Sequence, residues 1–411
     1  MIKIYIKKAL RKVAHVGYHV LKKIYFFSVP RLARLFVGRV NQNLIVFDSP
    51  SYDDNMKVLA EYIAENKPEC RVVCFVEEKN IAPKYENIKF IKRAYSSGSK
   101  RAYSIFAYYF ALKAKYVLYT HSFKWAGKKN DGQIIVNLWH GSGYKSGEMA
   151  TFEHNFDYMM VPGELFIKSK AEFFNCDKNK ILTLGYARYD LYKTATTALY
   201  QKMIDVAKIN LEKDKLVLWL PTFIPKEYLS IYEDPTPYLY SGIPLIENLA
   251  QMIDLDEFCQ RNKVKIIVKK HHLRYSETPL DEHLEKLKNI IVLSDLEFKT
   301  FGIELYELLP LTSGLISDFS SVSVDYMLLD KPIAYIVKDL KDYRKSRGFV
   351  FENPLEYMPG HHVNDIEELK NFIEDVVAGK DKYRNLREEK MCIMHNKTDN
   401  YSKRIVEHLK I

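Results

Sequence analysis

The feature that most constrains this chain is a repeated alternation of short apolar runs with longer helical patterns. NLIVFDS (43–49) and RVVCFVE (71–77) are rich in β-branched residues, and the apolar residues between them, at 53–66, recur at helical spacing. Nearly continuous apolar strands that alternate with helices are typical of a buried parallel sheet. The sequence therefore predicts an α/β fold of doubly wound, Rossmann-type units.

The alternation occurs twice along the 411 residues. A long predicted helix at about 189–211 is followed by the strand KLVLWLPTF (215–223), and the same rhythm then continues to the C-terminal end. Two such units imply a cleft between them, with ligands bound beyond the carboxyl ends of the strands. We predict an arm at 1–40, an N-terminal domain at 41–205 and a C-terminal domain at 206–411.

Charge is concentrated in the N-terminal arm. Residues 1–40 contain ten of the 62 Lys and Arg residues and none of the 52 Asp and Glu residues, so the net charge of +10 resides there. Apolar residues at helical spacing from Ile2 to Ile24 predict a basic amphipathic helix that can lie on an anionic membrane surface. A helix packed on its own domain and a helix that binds a protein partner are the alternatives.

The remaining composition excludes several classes of protein. A nucleic-acid-binding enzyme would spread its basic surface over the folded domains, so we predict no nucleic-acid partner. No uncharged run approaches the ~18 residues of a membrane-spanning helix. The five cysteines are scattered and complete no zinc-ligand set, which predicts reduced thiols in the cytoplasm and no metal site in the sequence.

The first segment with candidate catalytic and anion-binding residues is NLWHGSGYKSGE (137–148). Small residues at Gly141 and Ser142 allow backbone N–H groups to approach an anion closely. His140, at the predicted strand end, can remove a proton from an attacking hydroxyl near neutral pH. A histidine that merely caps the turn is the alternative interpretation.

The second segment is KIIVKKHHLR (265–274), in which Lys269 and His271 belong to a cluster of cationic and donor groups after a strand. Such a cluster suits the oxygens of a phosphate or pyrophosphate. A solvated basic loop is the alternative. No carboxylate or cysteine stands at metal-ligand spacing from the paired histidines.

The third segment, SGLISDFSSVSVDYMLLDKPIAYIVKD (313–339), is the most specific. Its strand ends at Asp318, and Ser320 or Ser321 is the predicted N-cap of the following helix, whose positive end can hold a phosphate. Asp325, one turn into the helix, could reach a ribose or polyol hydroxyl. An ordinary serine cap with a surface aspartate is the alternative.

Taken in order, these segments resemble the CDP-glycerol glycerophosphotransferase family of teichoic-acid and capsule biosynthesis. The resemblance covers about residues 130–350. Ala187 and His272 stand where the family has prolines, Leu220 where it has alanine and Phe319 where it has tyrosine, but no proposed chemical group is lost. The matching segments are Trp139-His140-Gly141-Ser142, Gly185-Tyr186-Ala187-Arg188-Tyr189-Asp190, Leu220-Pro221-Thr222-Phe223, Lys269-Lys270-His271-His272, Asp318-Phe319-Ser320-Ser321 and Lys331-Pro332-Ile333.

The resemblance implies a GT-B architecture and an essential histidine pair, His140 and His271. It implies that His140 is the base for the acceptor hydroxyl, while His271 and the serines steady the donor phosphates. The implied reaction moves glycerol phosphate, or a related polyol phosphate, from a CDP-activated donor such as CDP-glycerol to a lipid-linked or saccharide acceptor at the cytoplasmic membrane face, releasing CMP. The implied donor-site residues are Gly141, Ser142, Thr222, Lys269, Asp318, Ser320, Ser321 and Asp325, with Arg188 and Asp190 in supporting positions.

Two rival functions and several details stay open at this stage. A GT-B glycosyltransferase that uses a nucleotide sugar would share the fold, as would a non-enzymatic binding protein on the cell membrane. The intact His140, His271 and serine pair favour an enzyme. The sequence shows no cofactor requirement, and it leaves open the polyol, the acceptor, the role as primase or polymerase, the divalent metal and the oligomeric state.

Overall fold

The fold is described from a computed structural model, which covers residues 28, 34–77, 81–94, 103–121, 123, 128–146, 156–194, 197–222, 224, 226–270 and 278–411. Most of the predicted basic arm lies outside the described residues, and so does His271. Within the described ranges, no helix has both the length and the apolarity needed to cross a membrane.

The N-terminal unit is built on a seven-stranded sheet in the order β3-β2-β1-β4-β5-β6-β7, in which every neighbouring pair is parallel. Its central strands are almost entirely buried, as expected of a parallel sheet covered on both faces. The strands are β1 Asn41–Asp48, β2 Arg71–Val76, β3 Ile88–Lys92, β4 Ala114–Tyr119, β5 Ile134–Asn137, β6 Tyr158–Met160 and β7 Ile181–Leu182. The helices of this unit are α1 Asp54–Asn66, α2 Ile105–Lys113, α3 Ile167–Phe174 and α4 Thr197–Ala207.

The C-terminal unit is built on a six-stranded parallel sheet in the order β10-β9-β8-β11-β12-β13. Its strands are β8 Lys215–Leu220, β9 Val264–Lys269, β10 Ile290–Leu293, β11 Gly314–Ser317, β12 Ile333–Ile336 and β13 His361–Val363. The helices that follow β8 in the chain are α5 Lys226–Leu229, α6 Thr236–Tyr240, α7 Leu249–Asn262, α8 Asp295–Thr300, α9 Leu305–Leu308, α10 Ser321–Tyr326, α11 Leu340–Ser346, α12 Ile366–Val377, α13 Arg384–Met394 and α14 Tyr401–Leu409.

The two sheets confirm the predicted α/β class, and the differences from the sequence prediction are local. β3 and β13 were not predicted; each is the edge strand of its sheet, and edge strands are short or only partly buried. The predicted continuous helix at 189–211 is wrong. The chain instead forms a 3₁₀ segment, Ala187–Lys193, before α4, because Arg188 and Tyr189 turn inward and become buried.

The C-terminal helix α14 contacts the N-terminal unit. The carboxylate of Asp190 accepts hydrogen bonds from the backbone N–H groups of Tyr401 and Ser402, both at 2.8 Å. The hydroxyl of Tyr116, on β4, donates to the carbonyl oxygen of Leu409 at 2.8 Å. Asp190 thus satisfies the first free N–H groups of α14, where a negative charge is also favoured by the helix dipole.

The cleft is located by the order of the strands. The strand order reverses between β1 and β4 in the first sheet and between β8 and β11 in the second. Ligands of such sheets bind beyond the carboxyl ends of the strands at these switch points. Thr120 follows β4, whereas Thr222 and Asp318 follow β8 and β11, so these residues mark the two sides of the expected binding cleft.

Substituting Asp190 with alanine should destabilise the fold, because α14 would lose the acceptor of its first two N–H groups. We expect the free energy of unfolding to fall by about 1–2 kcal/mol, the usual value for loss of a helix cap. Urea denaturation followed by circular dichroism measures this change. Asp399→Ala is the matched control, since that carboxylate is fully exposed, and equal stability of the two variants would contradict the capping role.

Candidate active site

The backbone around His140 is held in an unusual conformation by side chains. Trp139 has φ +57° and Gly141 has φ +148°, so the turn is left-handed on both sides of the histidine. All three carbonyl oxygens of the turn accept a hydrogen bond: Trp139 from Asn55 Nδ2 at 3.0 Å, His140 from Arg188 Nη1 at 3.0 Å, and Gly141 from the Trp139 indole at 2.6 Å. These bonds fix the direction in which the imidazole leaves the chain.

The His140 imidazole is arranged as a neutral base. Its Nδ1 lies 3.2 Å from the carbonyl oxygen of Thr120, which can only accept, so Nδ1 carries the proton and Nε2 is free to take another. The pKa of His140 is lowered to about 3, first by burial and then by His121, Lys170 and Arg188, while the bond to Thr120 acts in the opposite direction. Part of the residue remains exposed to solvent. The ring is neutral at pH 7.

Two glycines let the His140 turn touch the C-terminal unit. A Cβ atom on Gly141 would lie 2.4 Å from Ser321 Oγ, and one on Gly143 would lie 2.9 Å from Ser321 Cα. Ser320 is the N-cap of α10, where its hydroxyl accepts from the N–H of Val322, which confirms the predicted cap. The first and third sequence segments therefore meet directly, although they are far apart in the chain.

Arg188 and Asp325 join the two units through a buried ion pair. Arg188 Nη2 lies 2.6 Å from Asp325 Oδ2, and Arg188 Nη1 lies 2.9 Å from Asp54 Oδ2. The hydroxyl of Tyr306 donates to Asp325 Oδ2 at 2.5 Å, and that of Tyr189 donates to the other carboxylate oxygen. Asp325 has no exposed surface. The prediction that Asp325 reaches a ribose or polyol hydroxyl is therefore wrong. The alternative, that Asp325 is a surface residue of the helix, is also wrong.

Thr222 and Asp318 form a second pair at the switch point of the C-terminal sheet. The backbone N–H of Thr222 donates to Asp318 Oδ2 at 2.7 Å, and its hydroxyl donates to Oδ1. Burial raises the pKa of Asp318 to about 6, against the lowering effect of the bonds from Thr222. Two sequence-predicted residues are thus brought together at a strand end that faces the cleft.

Three further residues that the sequence predicts for the site form contacts with other groups of the protein. Lys269 Nζ pairs with Asp295 Oδ1 at 2.8 Å. Ser142 is fully buried, and its hydroxyl lies 2.9 Å from that of Tyr186. Asp190 caps α14. The structure therefore places Ser142 and Asp190 in the packing behind the site, and it leaves Lys269 available to a phosphate only in competition with Asp295.

Two lysines that sequence reasoning did not assign border the cleft. Lys145 follows the His140 turn, and its backbone forms a bridge with Phe349 of the C-terminal unit. Lys170 Nζ lies 4.9 Å from the centre of a Trp139 ring. Burial lowers the pKa of both amines, that of Lys170 to about 8, and Lys145 adds to the lowering at Lys170. In the sequence, nothing distinguishes the position of Lys170 from that of the other lysine of α3, so only its contacts in the folded protein identify it.

Acidic and histidine side chains do not converge as metal ligands in the described ranges. No group of three or more His, Cys, Asp or Glu residues there could hold a metal ion. The cleft of the described chain is bordered instead by His140, by paired polar groups and by cations.

Comparison with known proteins identifies relatives of this arrangement. Residues 31–410 match the family described as CDP-glycerol:poly(glycerophosphate) glycerophosphotransferase. A teichoic acid poly(glycerol phosphate) polymerase of Staphylococcus epidermidis is 26% identical over 369 residues, which are 81% of this chain and 46% of the relative. A teichoic acid glycerol-phosphate transferase of Staphylococcus aureus is 25% identical over 404 residues, 92% of this chain and 95% of the relative. The chain spans about half the length of most curated relatives that it matches.

A solved structure supports the fold. The wall teichoic acid polymerase TagF superposes with a TM-score of 0.69 at 20% identity, over 98% of this chain and 97% of that one. At this identity the likeness concerns the fold alone. Together with the two parallel sheets it confirms the predicted GT-B-like architecture.

Replacing Asp325 with asparagine should destabilise the protein strongly, because the buried Arg188 guanidinium would lose the fully buried one of its two charged partners. We expect a loss of about 3–5 kcal/mol in the free energy of unfolding. The control is Lys57→Met, which breaks the half-exposed Lys57–Glu304 pair between the same two units and should cost less than about 1 kcal/mol. Equal losses in urea denaturation would show that the Arg188–Asp325 pair does not hold the units together.

Proposed function

Because the chain belongs to the CDP-glycerol:poly(glycerophosphate) glycerophosphotransferase family, we propose that it transfers a polyol phosphate from a CDP-activated donor to a cell-envelope acceptor, releasing CMP. The donor is CDP-glycerol or a related CDP-polyol, and the acceptor is a membrane-linked teichoic acid or capsular polysaccharide. The observation that carries the proposal is the contact of the His140 turn with Ser321 at the start of α10. It brings a neutral base beside a group suited to phosphate.

The proposed reaction is a direct displacement at phosphorus. The acceptor hydroxyl attacks the donor phosphorus that bears the glycerol, and a new oxygen–phosphorus bond forms. The bond from that phosphorus to the oxygen bridging to the second phosphate breaks, and CMP leaves with the bridging oxygen. His140 Nε2 receives the proton of the hydroxyl. Such transfers depend chiefly on positioning and on stabilisation of charge.

The negative charge of the bound donor would raise the pKa of His140 and so strengthen it as a base. The pKa of His140 lies well below the usual value, first because the ring is buried and then because positive groups surround it. A bound pyrophosphate would place negative charge beside the ring and raise its pKa towards the range in which a general base is most effective. The base is then strongest when the donor is in place.

On the donor side, we assign the phosphates to the start of α10 and to the second sheet's switch point. Ser320 and Ser321 offer hydroxyl and N–H groups at the positive end of the helix. Thr222 donates to both oxygens of Asp318, so hydrogen bonds within the protein satisfy that carboxylate. Lys269 and His271 complete the proposed donor site, the latter from outside the described residues.

We also propose the division of the chain that these roles require. The N-terminal acceptor-side domain spans 41–205 and the C-terminal donor domain spans 206–411, after the basic arm at 1–40. The sheets at 41–182 and 215–363 support this division. The contact of α14 with β4 ties the end of the second domain to the first.

Nucleotide release tests the function. Purified protein with a crude membrane acceptor should release CMP from CDP-glycerol or CDP-ribitol and release no UDP or GDP from the common nucleotide sugars. Each of His140→Ala and His271→Ala should lower turnover by about 10²-fold or more without unfolding the chain. His283→Ala, on a helix of the C-terminal unit, is the matched control. Release of UDP or GDP would identify a glycosyltransferase instead.

An exposed apolar patch supports a peripheral position on the cytoplasmic face of the membrane. Five large apolar residues face solvent, at exposures between 39% and 80%; two lie at the end of the basic arm and three on α2. Lys113, at the end of α2, donates to the carbonyls of Val37 and Arg39 at 2.7 Å and so joins the two segments of the patch. We define the apolar patch as Leu35, Phe36, Ile105, Phe106 and Tyr109. Apolar side chains flanked by basic ones suit an anionic bilayer surface.

Replacing Phe36 and Phe106 together with serine should weaken binding to vesicles that contain anionic lipid, because two large rings would no longer enter the interface. Vesicle sedimentation measures the bound fraction. Leu296→Ser is the control, since Leu296 is 74% exposed but lies on the C-terminal unit. Equal binding by the double variant, the control and the unchanged protein would refute the membrane role of the patch.

A further inference from the structure

We propose that Lys170 binds a phosphate of the acceptor and makes the enzyme select acceptors with a negative charge close to the attacking hydroxyl. This inference rests on the proposed function, because it assigns the acceptor side of the same site.

Lys170 and His140 are neighbours of one indole ring. Lys170, on α3, places Nζ 4.9 Å from the centre of the Trp139 ring and 5.6 Å from that of Phe173. The centre of the His140 imidazole lies 4.1 Å from that of the Trp139 ring. An ammonium group and the proposed base therefore contact the same indole in the N-terminal unit, and the aromatic rings hold the ammonium group by cation–π attraction.

Among the described residues, Lys170, like Lys145, has no acidic partner, whereas other cations of this region are paired. Arg188 is paired with Asp325 and Asp54, and Lys269 is paired with Asp295. Among the ion pairs of the described residues, none includes Lys170. A half-buried ammonium without a counter-ion is costly, and a phosphate of a bound ligand would supply the missing charge.

The position of Lys170 favours the acceptor over the donor. The donor phosphates are assigned to Ser320 and Ser321 in the C-terminal unit. Lys145 lies nearer to that unit, since its backbone bridges to Phe349. Lys170 belongs to α3 on the opposite side, beside the base that must meet the acceptor hydroxyl. Lys145 lies toward the C-terminal unit and Lys170 lies in the N-terminal unit, so the two cations could bind two separate phosphates in one cleft.

The chemistry identifies the class of acceptor. In a chain that ends in glycerol phosphate, the free hydroxyl and the nearest phosphodiester belong to one three-carbon unit. His140 would take the proton of that hydroxyl while Lys170, a compact point charge, holds the phosphodiester. A neutral saccharide end would leave Lys170 unpaired, which discriminates against it.

The experiment compares a charged and a neutral acceptor with the full chain and CDP-glycerol as donor. The charged probe is synthetic tri(glycerol phosphate), and the neutral probe is its methyl phosphotriester. Lys170→Gln should raise the KM for the charged probe at least about tenfold, the effect of losing one charge-assisted hydrogen bond. It should leave the KM for CDP-glycerol unchanged and have little effect with the neutral probe.

Two further variants make the result specific. Lys170→Arg keeps the charge and should restore most of the affinity for the charged probe. Lys168→Gln is the matched control on the same helix, where its side chain is 76% exposed, and it should behave as the unchanged protein. Equal losses on both probes, or a higher KM for CDP-glycerol, would overturn the assignment of Lys170 to the acceptor.

A binding measurement separates this inference from the proposed function. Calorimetric titration of tri(glycerol phosphate) without donor reports on Lys170 alone. Undiminished binding by Lys170→Gln contradicts the inference whether or not CMP is released. Absence of CMP release by the unchanged protein from every CDP-polyol contradicts the proposed function instead.

Discussion

The arrangement of the site depends on the guanidinium of Arg188, which is only 2% exposed and is held between the two units. Removing such a group from water is expensive unless several partners surround it. Here Asp325 and Asp54 supply charge, the His140 carbonyl accepts a hydrogen bond, and the rings of Tyr306 and Tyr186 lie within 4.5 and 4.7 Å of the guanidinium carbon. Since each partner belongs to a different segment, satisfying this one cation fixes those segments relative to one another.

The same cation connects the packing to the chemistry. Arg188 holds the carbonyl of His140, and Asn55 joins the two segments by donating to Trp139 and accepting from the backbone N–H of Arg188 at 3.2 Å. The left-handed φ of Trp139 is unfavourable for a bulky residue and persists because these bonds over-determine it. Gly141 and Gly143 then allow the turn to approach Ser321. Hydrogen bonds within the N-terminal unit therefore hold the turn of the base, and its contact with Ser321 and the Arg188–Asp325 pair place it against the C-terminal unit.

The sequence predicted the parts of the structure that depend on neighbouring residues. Central strands such as β1 are read from continuous apolar runs, and the Ser320 cap is read from the residues beside it. Edge strands such as β3 lack that signal, because a sheet edge buries them less completely. The role of Asp325 depends on Arg188, 137 positions away, and that of Lys170 depends on its place over Trp139. Local patterns carry no information on such contacts, so a buried partner of an ion pair looked like a ligand-binding residue.

Positive charge in the cleft favours anionic ligands. Burial lowers the pKa of Lys170, and the charge of Lys145 lowers it further. Burial likewise lowers the pKa of His140, and the charge of Lys170 adds to that effect. In the proposed function, donor and acceptor phosphates would offset these positive charges, and because they would contact both units, their binding would stabilise the observed arrangement of the units. The arrival of anionic ligands between α10 and α3 would thus stabilise the cations of the cleft and also strengthen the neutral base.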